Sequence, residues 1–163
     1  MGTPKGLLSW GGRPLLSAHV EAAHAAGLRV RVVLGAADDA HRSVLPADVE
    51  VVHNLRWAET DMAESVALGL EGLAAALVMP VDTPVPRPDT LRRLADQPGC
   101  AVPTWQGRDG HPVRVARMPR VRWPPEGRLD AWLREAPRVP VDDPAVAGNL
   151  NTPESLRTWL PGR

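Results

Sequence analysis

The feature that most constrains the fold of this chain is an uninterrupted apolar run at residues 74–79 (AAALVM). The run carries no charge and is followed directly by Pro80, which marks its end. A continuous apolar run of this length is typical of a strand that is buried on both faces of a parallel sheet. The run therefore predicts such a strand near the middle of the chain.

Other short apolar runs alternate with stretches of helical spacing. Gly27 follows the first of these helices as a C-cap, and Asp61 and Thr152 precede later ones as N-caps. Alternation of this kind indicates an α/β domain with a mostly parallel sheet. The predicted strands are residues 30–34, 49–52, 74–79, 100–103 and 139–141, and the predicted helices are residues 14–26, 38–44, 62–73, 88–96, 129–135 and 153–160.

The alternation is interrupted after Thr104, where residues 106–110 (QGRDG) have the composition of a turn. They predict the tip of a β-hairpin whose second strand returns through Val113 and Val115. No internal repeat, low-complexity tract or linker divides the sequence. Residues 1–163 are therefore expected to form one domain.

The charge balance excludes several classes of partner. Nineteen basic and nineteen acidic residues cancel, so no basic field points to nucleic acid or to an anionic membrane. No signal peptide or long apolar run is present, and the single cysteine, Cys100, cannot form an internal disulfide. We expect a soluble cytoplasmic protein that binds neither nucleic acid nor membrane.

Asp82 is the first candidate for chemistry. It follows the apolar run 74–79 in the turn Pro80-Val81-Asp82-Thr83-Pro84, between two prolines. Ligands of open parallel sheets bind at the carboxyl ends of the strands, where this turn is expected to lie. A carboxylate there can serve as an oxygen ligand of Mg²⁺, and it can equally be a turn or capping residue.

Three further positions combine polar groups with turns or helix starts. Lys5 is the only lysine of the chain and can give phosphate a compact charge, although Lys5 taken alone favours the plainer interpretation of a surface lysine in a terminal segment. His111 follows a glycine-rich turn and either contacts a substrate or is an exposed hairpin histidine. Asn149 and Asn151 stand immediately before a helix, where amide oxygens can bind a metal or simply cap the helix.

Five segments bring these residues together in a definite order along the chain. They are residues 1–8 (MGTPKGLL) with 12–16 (GRPLL); Asn54 and Trp57 with 62–65 (MAES) and 69–70 (GL); 80–84 (PVDTP); 103–104 (PT) with 110–113 (GHPV); and 149–154 (NLNTPE). Taken together they resemble the MobA-like nucleotidyltransferases, in particular the molybdenum-cofactor cytidylyl- and guanylyltransferases. Each motif alone is weak, but the resemblance spans nearly the whole chain.

The resemblance implies a fold and a reaction. The fold is a three-layer, Rossmann-like α/β domain of the nucleotide-diphospho-sugar transferase type, with a β-hairpin insertion. The reaction transfers a nucleotidyl group from an NTP, with CTP favoured over GTP, to a phosphate-bearing acceptor such as the molybdopterin cofactor, and it releases pyrophosphate. Mg²⁺ is the implied cofactor.

The resemblance also assigns roles to residues of this chain. Lys5 and Asp82 are the implied catalytic residues, and Gly2, Lys5, Asn54 and Asp82 the implied nucleotide-binding residues. Asp82 and Asn151, or Asn149 in its place, would hold the metal, and Gly110 and His111 would line the acceptor side.

The sequence departs from the family pattern in two ways. The pattern starts with a strand and a glycine-rich loop before MGxxK, whereas this sequence starts at that methionine, so the first strand is expected to be missing. Its loss is expected to open a groove of unpaired backbone groups in the sheet. The closing DxD is replaced by Asn149-Leu150-Asn151, and the GM of the helix by Asp61-Met62.

These departures leave alternatives open. The sequence starts at an internal methionine of a longer protein, which we favour, or it is a non-catalytic binding or scaffold domain, or a partner or dimer completes the sheet. We expect the chain as written to be weak or inactive. A transferase for sugar or alditol phosphates is the remaining alternative, because the wider fold group serves such acceptors.

Overall fold

The computed structural model describes residues 4–36, 38–117 and 129–160. A 3₁₀ turn at Lys5–Leu7 opens the described chain, and another at Pro144–Ala147 precedes the last helix. The strands are β1 (Ser9–Trp10), β2 (Arg13–Pro14), β3 (Arg31–Leu34), β4 (Glu50–His53), β5 (Ala75–Val78), β6 (Val102–Trp105), β7 (Arg108–Asp109), β8 (Val113–Ala116) and β9 (Arg138–Pro140). The helices are α1 (Leu15–Ala25), α2 (Asp38–Arg42), α3 (Met62–Leu70), α4 (Pro88–Ala95), α5 (Leu129–Trp132) and α6 (Pro153–Trp159).

The strand pairing confirms a mixed α/β fold. Strands β3 and β4 pair in parallel, as do β6 and β9, whereas β5 pairs with β8 in the antiparallel direction. Strand β7 pairs antiparallel with β6 across a two-residue turn at Gln106 and Gly107, whose φ angles are 50° and 77°. Positive φ at both central positions is what a tight hairpin turn requires, so the predicted hairpin is present with a shorter tip.

The strand through Val113 and Val115 returns antiparallel beside the segment that leads into β6, as the hairpin prediction implied, but it pairs there at only one point, between Arg114 and Ala101. It forms β8 and pairs along its length with β5. Val113 and Val115 are buried in a core cluster with Leu70, Val102 and Leu133, and this burial holds the segment between β5 and β6. Tertiary packing therefore decides the partner of this strand.

Predicted capping residues are found at helix ends, but helices α2, α3 and α5 end earlier than predicted. Asp61 accepts a hydrogen bond from the Ala63 amide at 2.9 Å and caps α3 as expected. The helix ends at Leu70 rather than at residue 73, because Gly72 adopts a left-handed conformation with φ of 73°.

Among the described residues, no helix is long and apolar enough to cross a membrane.

The strand pairs β3–β4 and β5–β8 belong to separate sheets, and α3 packs against both β3 and β5. Every residue of β5 is only half-buried. The expectation of a strand buried on both faces is thus wrong for β5, because a groove runs along its free edge.

Candidate active site

Three predicted residues from distant parts of the sequence meet at one point. The Lys5 ammonium donates to Asp82 Oδ2 at 2.7 Å and to Asn151 Oδ1 at 2.7 Å. The Lys5 side chain is 39% exposed and that of Asp82 31%, so the cluster is open to solvent. An exposed ion pair contributes little to stability, which leaves these groups available for a ligand.

The turn that carries Asp82 is held from several sides. The Thr83 hydroxyl donates to the Pro80 carbonyl at 2.8 Å, and the Thr83 side chain is buried. On the other side, the His19 ring bonds through Nε2 to the Thr83 carbonyl at 3.1 Å. Because these contacts fix the backbone on both sides of Asp82, its carboxylate has a defined position at the end of β5.

Asn151 is placed by the residue beside it. The Leu150 amide donates to the Asp82 carbonyl at 2.8 Å, and the Leu150 side chain is fully buried. Thr152 then caps α6, with the Ser155 amide donating to its hydroxyl at 3.1 Å. The backbone of the closing segment is therefore tied to the backbone of Asp82, and this tie brings the amide of Asn151 to Lys5.

Lys5 lies in the 3₁₀ turn that precedes β1. The buried Gly6 packs closely here, since a Cβ at this position would lie 2.9 Å from the His41 ring. The chain is anchored further on, where the Leu15 amide donates to the Leu8 carbonyl at 2.8 Å. Packing of this turn thus directs the lysine toward the end of β5.

Gly110 and His111 lie near the end of β5, with the His111 ring close to the Val78 backbone. A Cβ on Gly110 would lie 1.9 Å from the Val146 carbonyl oxygen, which accepts a hydrogen bond from the His111 amide at 2.8 Å. Burial lowers the pKa of His111, while a hydrogen bond to the Val78 backbone and the charge of Asp82 oppose that shift. His111 is thus neutral near pH 7 and within electrostatic reach of Asp82.

A cavity of about 530 Å³ extends from Gly110 and His111. Its walls are mainly apolar, with Val66 and Val113 among them, and Arg138 lies on its border, where it pairs with Asp109 at 3.0 Å. This volume lies within the range of small-molecule sites. The predicted acceptor residues are therefore found beside a cavity.

Asn54, another predicted nucleotide-binding residue, is not part of this cluster. The Asn54 side chain is buried and bonded within its own loop, donating to Thr60 and Ser65 and accepting from the Arg56 amide at 3.0 Å. Gly2 lies outside the described residues.

The oxygens of Asp82 and Asn151 fit a hard cation, because both already converge on one positive centre, the Lys5 ammonium. Mg²⁺ commonly takes one or two carboxylates and completes its coordination with water and substrate phosphates. In the part of the chain that the structure describes, no group of three His, Cys, Asp or Glu residues could hold a metal ion. A cation here would therefore depend on ligands from its substrate.

Sequence reasoning missed the role of His19. Its buried ring supports the Asp82 turn through the Thr83 carbonyl. The one sequence signal was a histidine on the apolar side of α1, between Ala18 and Val20. Histidines in such positions usually satisfy a nearby backbone group.

Comparison with known proteins identifies the family of the chain. The family model of the MobA-like NTP transferase domain matches residues 1–138. The chain belongs to this family. It is therefore a nucleotidyltransferase by descent, and the family assignment drawn from its five segments is confirmed. No curated protein matches the chain.

Solved structures give the same assignment of fold. Rv0371c from Mycobacterium tuberculosis H37Rv is 25% identical, with a TM-score of 0.75 over 100% of this chain and 92% of that one. The same protein has been solved in complex with manganese, at a TM-score of 0.70, 25% identity and coverage of 99% and 94%.

More distant neighbours share the fold alone. A nucleotidyl transferase from Methanothermobacter thermautotroptrophicus is 23% identical, with a TM-score of 0.76 over 95% of this chain and 83% of that one. Molybdopterin-guanine dinucleotide biosynthesis protein A from Archaeoglobus fulgidus is 15% identical, with a TM-score of 0.65 and coverage of 98% and 90%. The Rossmann-like α/β fold expected from the sequence is thus confirmed.

Proposed function

We propose that the protein transfers a nucleotidyl group from an NTP, CTP in preference to GTP, to a phosphate-bearing acceptor of the molybdopterin class. An acceptor phosphate oxygen attacks the α-phosphorus and forms a new P–O bond. The bond between the α-phosphorus and the bridging oxygen to the β-phosphate breaks, and pyrophosphate leaves with that electron pair. The cytoplasm is the expected compartment.

One observation carries this proposal. Lys5, Asp82 and Asn151 converge on a single solvent-open point at the end of β5, with distances of 2.7 Å from the ammonium to each oxygen. Transfer at phosphorus needs positioning and neutralisation of charge more than covalent help. An ammonium supplies a compact positive charge for phosphate oxygens, and a carboxylate with an amide supplies oxygens for a cation.

The roles follow from these chemistries. Lys5 binds the nucleotide phosphates, and Asp82 and Asn151 hold Mg²⁺. When bound, a divalent cation neutralises charge on the phosphates as pyrophosphate departs. Because Lys5 now bonds both oxygens, binding of the cation requires its ammonium to leave them, and a phosphate oxygen is the partner it would take instead.

The acceptor is proposed to enter beside Gly110 and His111. The absence of a side chain at residue 110 lets the backbone pass close to the Val146 carbonyl, and this contact sets the position of the His111 ring. The lowered pKa of His111 keeps its ring neutral near pH 7, so that the ring can bond to the acceptor without adding charge. The preference for CTP rests on the GHPV segment, residues 110–113.

Two assignments remain proposals on the nucleotide side. We assign Gly2 to nucleotide binding from the sequence alone, because it precedes Lys5 by three residues. For Asn54 we propose an indirect role, because its amide bonds to Thr60, Ser65 and the Arg56 backbone and thereby shapes the loop before α3.

A matrix of nucleotides and acceptors tests the proposed reaction. Pyrophosphate release is measured with CTP or GTP, and with molybdopterin or a sugar phosphate as acceptor. The proposal predicts release that needs both a nucleotide and molybdopterin and that is faster with CTP. Release with sugar phosphates alone would favour the alternative acceptor class. Nucleotide binding with no release under any condition would favour a non-catalytic domain.

Removal of divalent cations tests the oxygen cluster. A chelator is expected to abolish release, and added Mg²⁺ or Mn²⁺ should restore it. The reason is that Asp82 and Asn151 supply only two oxygen ligands, and the substrate phosphates would supply further ligands of the same cation. Turnover that is unchanged in excess chelator would show that Asp82 and Asn151 hold no metal during the reaction.

A further inference from the structure

Asp109 and Arg138 form an ion pair on the border of the cavity that extends from Gly110 and His111. The Nε and Nη2 groups of Arg138 both donate to Asp109 Oδ2, at 3.2 and 3.0 Å. The two side chains are 50% and 42% exposed, and an ion pair as exposed as this contributes little to stability. The proposed transfer has so far given neither side chain a role.

The Arg138 guanidinium is held in place without the help of Asp109. Its Nη1 group donates to the carbonyls of Leu133, Arg134 and Ala136, at 3.3, 2.8 and 2.8 Å. These carbonyls follow the end of α5, where backbone acceptors lack partners within the helix. The other edge of the guanidinium, Nε and Nη2, therefore keeps its position whatever Asp109 contacts.

Asp109 is fixed through its backbone. It pairs with Thr104 in the ladder between β6 and β7, and the next amide, that of Gly110, donates to the Pro103 carbonyl at 3.0 Å. Among the described residues, the Asp109 carboxylate bonds only to Arg138, and it does so only through Oδ2. Its Oδ1 is therefore an available acceptor directly beside the ion pair.

The pair presents three hydrogen-bonding groups in a row. Asp109 Oδ1 and Oδ2 are acceptors, and Arg138 Nη2 lies next to Oδ2 as a donor with a second N–H. A matching ligand edge has two adjacent donors followed by an acceptor. An aminopyrimidinone ring has this order along its amino–lactam edge, namely the amino N–H, the ring N–H and the carbonyl oxygen.

The cavity itself favours a flat ring. Its volume is about 530 Å³, and most of its walls are the apolar side chains of Val66, Val78, Val102, Val113 and Leu133. Such walls suit the faces of a planar heterocycle, whereas a sugar or alditol carries hydroxyl groups on most of its carbons, and these walls would leave them without partners. The cavity and the ion pair together therefore fit a flat ring with one polar edge.

We propose that Asp109 and Arg138 determine the specificity of the acceptor site by binding the amino–lactam edge of a pterin-like ring. The faces of the ring pack on the apolar walls, and the phosphate of the acceptor extends toward Lys5 and Asp82. The inference rests on the proposed acceptor class and assigns recognition of its ring to two residues. Guanine carries the same edge, but the pair borders the cavity proposed for the acceptor.

Binding of small ring ligands tests the proposal without nucleotide or turnover. Pterin is compared with lumazine, which has the same two rings but an oxygen in place of the amino group, by quenching of ligand fluorescence. We expect pterin to bind about tenfold more tightly, because lumazine turns an acceptor toward the Asp109 carboxylate. Guanosine, which carries the same edge on a purine nucleoside, should bind more weakly than pterin.

Three variants assign the preference to the pair. Asp109→Asn keeps the shape of the side chain but removes one acceptor, so it should bind pterin and lumazine about equally. Arg138→Gln should weaken both ligands alike, because both share the carbonyl that the guanidinium contacts; circular dichroism checks its fold, since Arg138 also bonds three backbone carbonyls. Asp142→Asn, at an exposed carboxylate outside the cavity, should keep the original preference.

Several outcomes overturn the proposal. Equal binding of pterin and lumazine by the unchanged protein, or failure of both to bind up to their solubility limits, would exclude recognition of the edge. An unchanged preference in Asp109→Asn would show that the ion pair only ties β7 to β9. Tighter binding of guanosine than of pterin would assign the pair to the nucleotide.

The result for the ring is separable from the result for the reaction. Pyrophosphate release with molybdopterin, by a protein that does not distinguish pterin from lumazine, would refute this inference and leave the proposed transfer standing. Selective binding of pterin that depends on Asp109, without release under any condition, would support this inference and contradict the proposed transfer.

Discussion

Two parts of the molecule are built from similar apolar strands but are packed to different degrees. Where β6, β8 and β9 lie, Leu94, Val115 and Leu150 are almost fully buried, and Gly110 touches the Val146 backbone. Around the groove that runs along the free edge of β5, by contrast, β3 and β5 are mostly half-buried. The site lies where these parts meet, so one side fixes its residues while the other stays open.

A pair of glycines gives the sharpest test of this comparison. Gly110→Ala places a Cβ 1.9 Å from a backbone carbonyl that cannot move away, and we expect a loss of about 3 kcal/mol. The Cβ added by Gly69→Ala would meet only Val33 Cγ2, at 2.9 Å, and that methyl group can turn into the groove beside β5. Alanine also favours the helix, so the net change should stay under about 1 kcal/mol.

Urea unfolding of both variants and the unchanged protein measures these differences. Equal losses of unfolding free energy for the two substitutions would contradict the comparison. They would show that the part around β3 and β5 is packed as rigidly as the part around β8.

The buried histidine between the two parts predicts a loss of stability in acid. Burial lowers the pKa of His19 to about 4 from 6.5, so the unfolded chain takes up a proton that the folded chain refuses as the pH falls through this window. Stability is full above pH 6.5 and declines as the pH falls toward 4. Linkage gives a loss of about 2 kcal/mol between about pH 7.5 and pH 5.

His19→Gln should remove this part of the pH dependence, and His24→Gln, a change on the same helix at a less buried position, should keep it. Urea unfolding at both pH values gives the measurement. A His19→Gln variant with the full pH dependence of the original would assign the acid loss to other groups.

The smallest predicted effect concerns the helix start next to Asn151. Thr152→Ala removes the acceptor for the Ser155 amide, and loss of such a cap costs about 1 kcal/mol. Because the Asn151 amide precedes this cap, turnover should also fall a few-fold. Thermal unfolding and pyrophosphate release measure the two effects. Loss of stability without any change in turnover would show that the cap does not position Asn151.

Much of the fold could be predicted because the signals were local. The order of strands and helices from β3 onward, the Asp61 cap and the hairpin turn all depend on neighbouring residues. The partner of β8 could not be predicted in this way. It depends on which strand edge is free once Val113 and Val115 are buried, and that is a property of the whole molecule.

The same distinction between local and long-range signals applies to the candidate site. Asp82 could be placed from the apolar run before it, because a strand end fixes where the next turn lies. The contacts of Lys5 with Asp82 and Asn151 depend on bonds across the chain, such as that from the Leu150 amide to the Asp82 carbonyl. Sequence spacing does not reveal such bonds, and for the same reason it did not predict that His19 supports the Asp82 turn.

The central claim is that phosphorus chemistry takes place at the point where Lys5 meets Asp82 and Asn151. Its most direct test is transfer of the α-phosphate label of CTP to the acceptor by variants of equal stability. Asp82→Asn and Lys5→Ala should each slow transfer about 100- to 1,000-fold, the usual effect of removing one charge-stabilising group. Asp142→Asn, at an exposed carboxylate after β9, should leave transfer unchanged. Transfer at the original rate by both Asp82→Asn and Lys5→Ala would contradict the account.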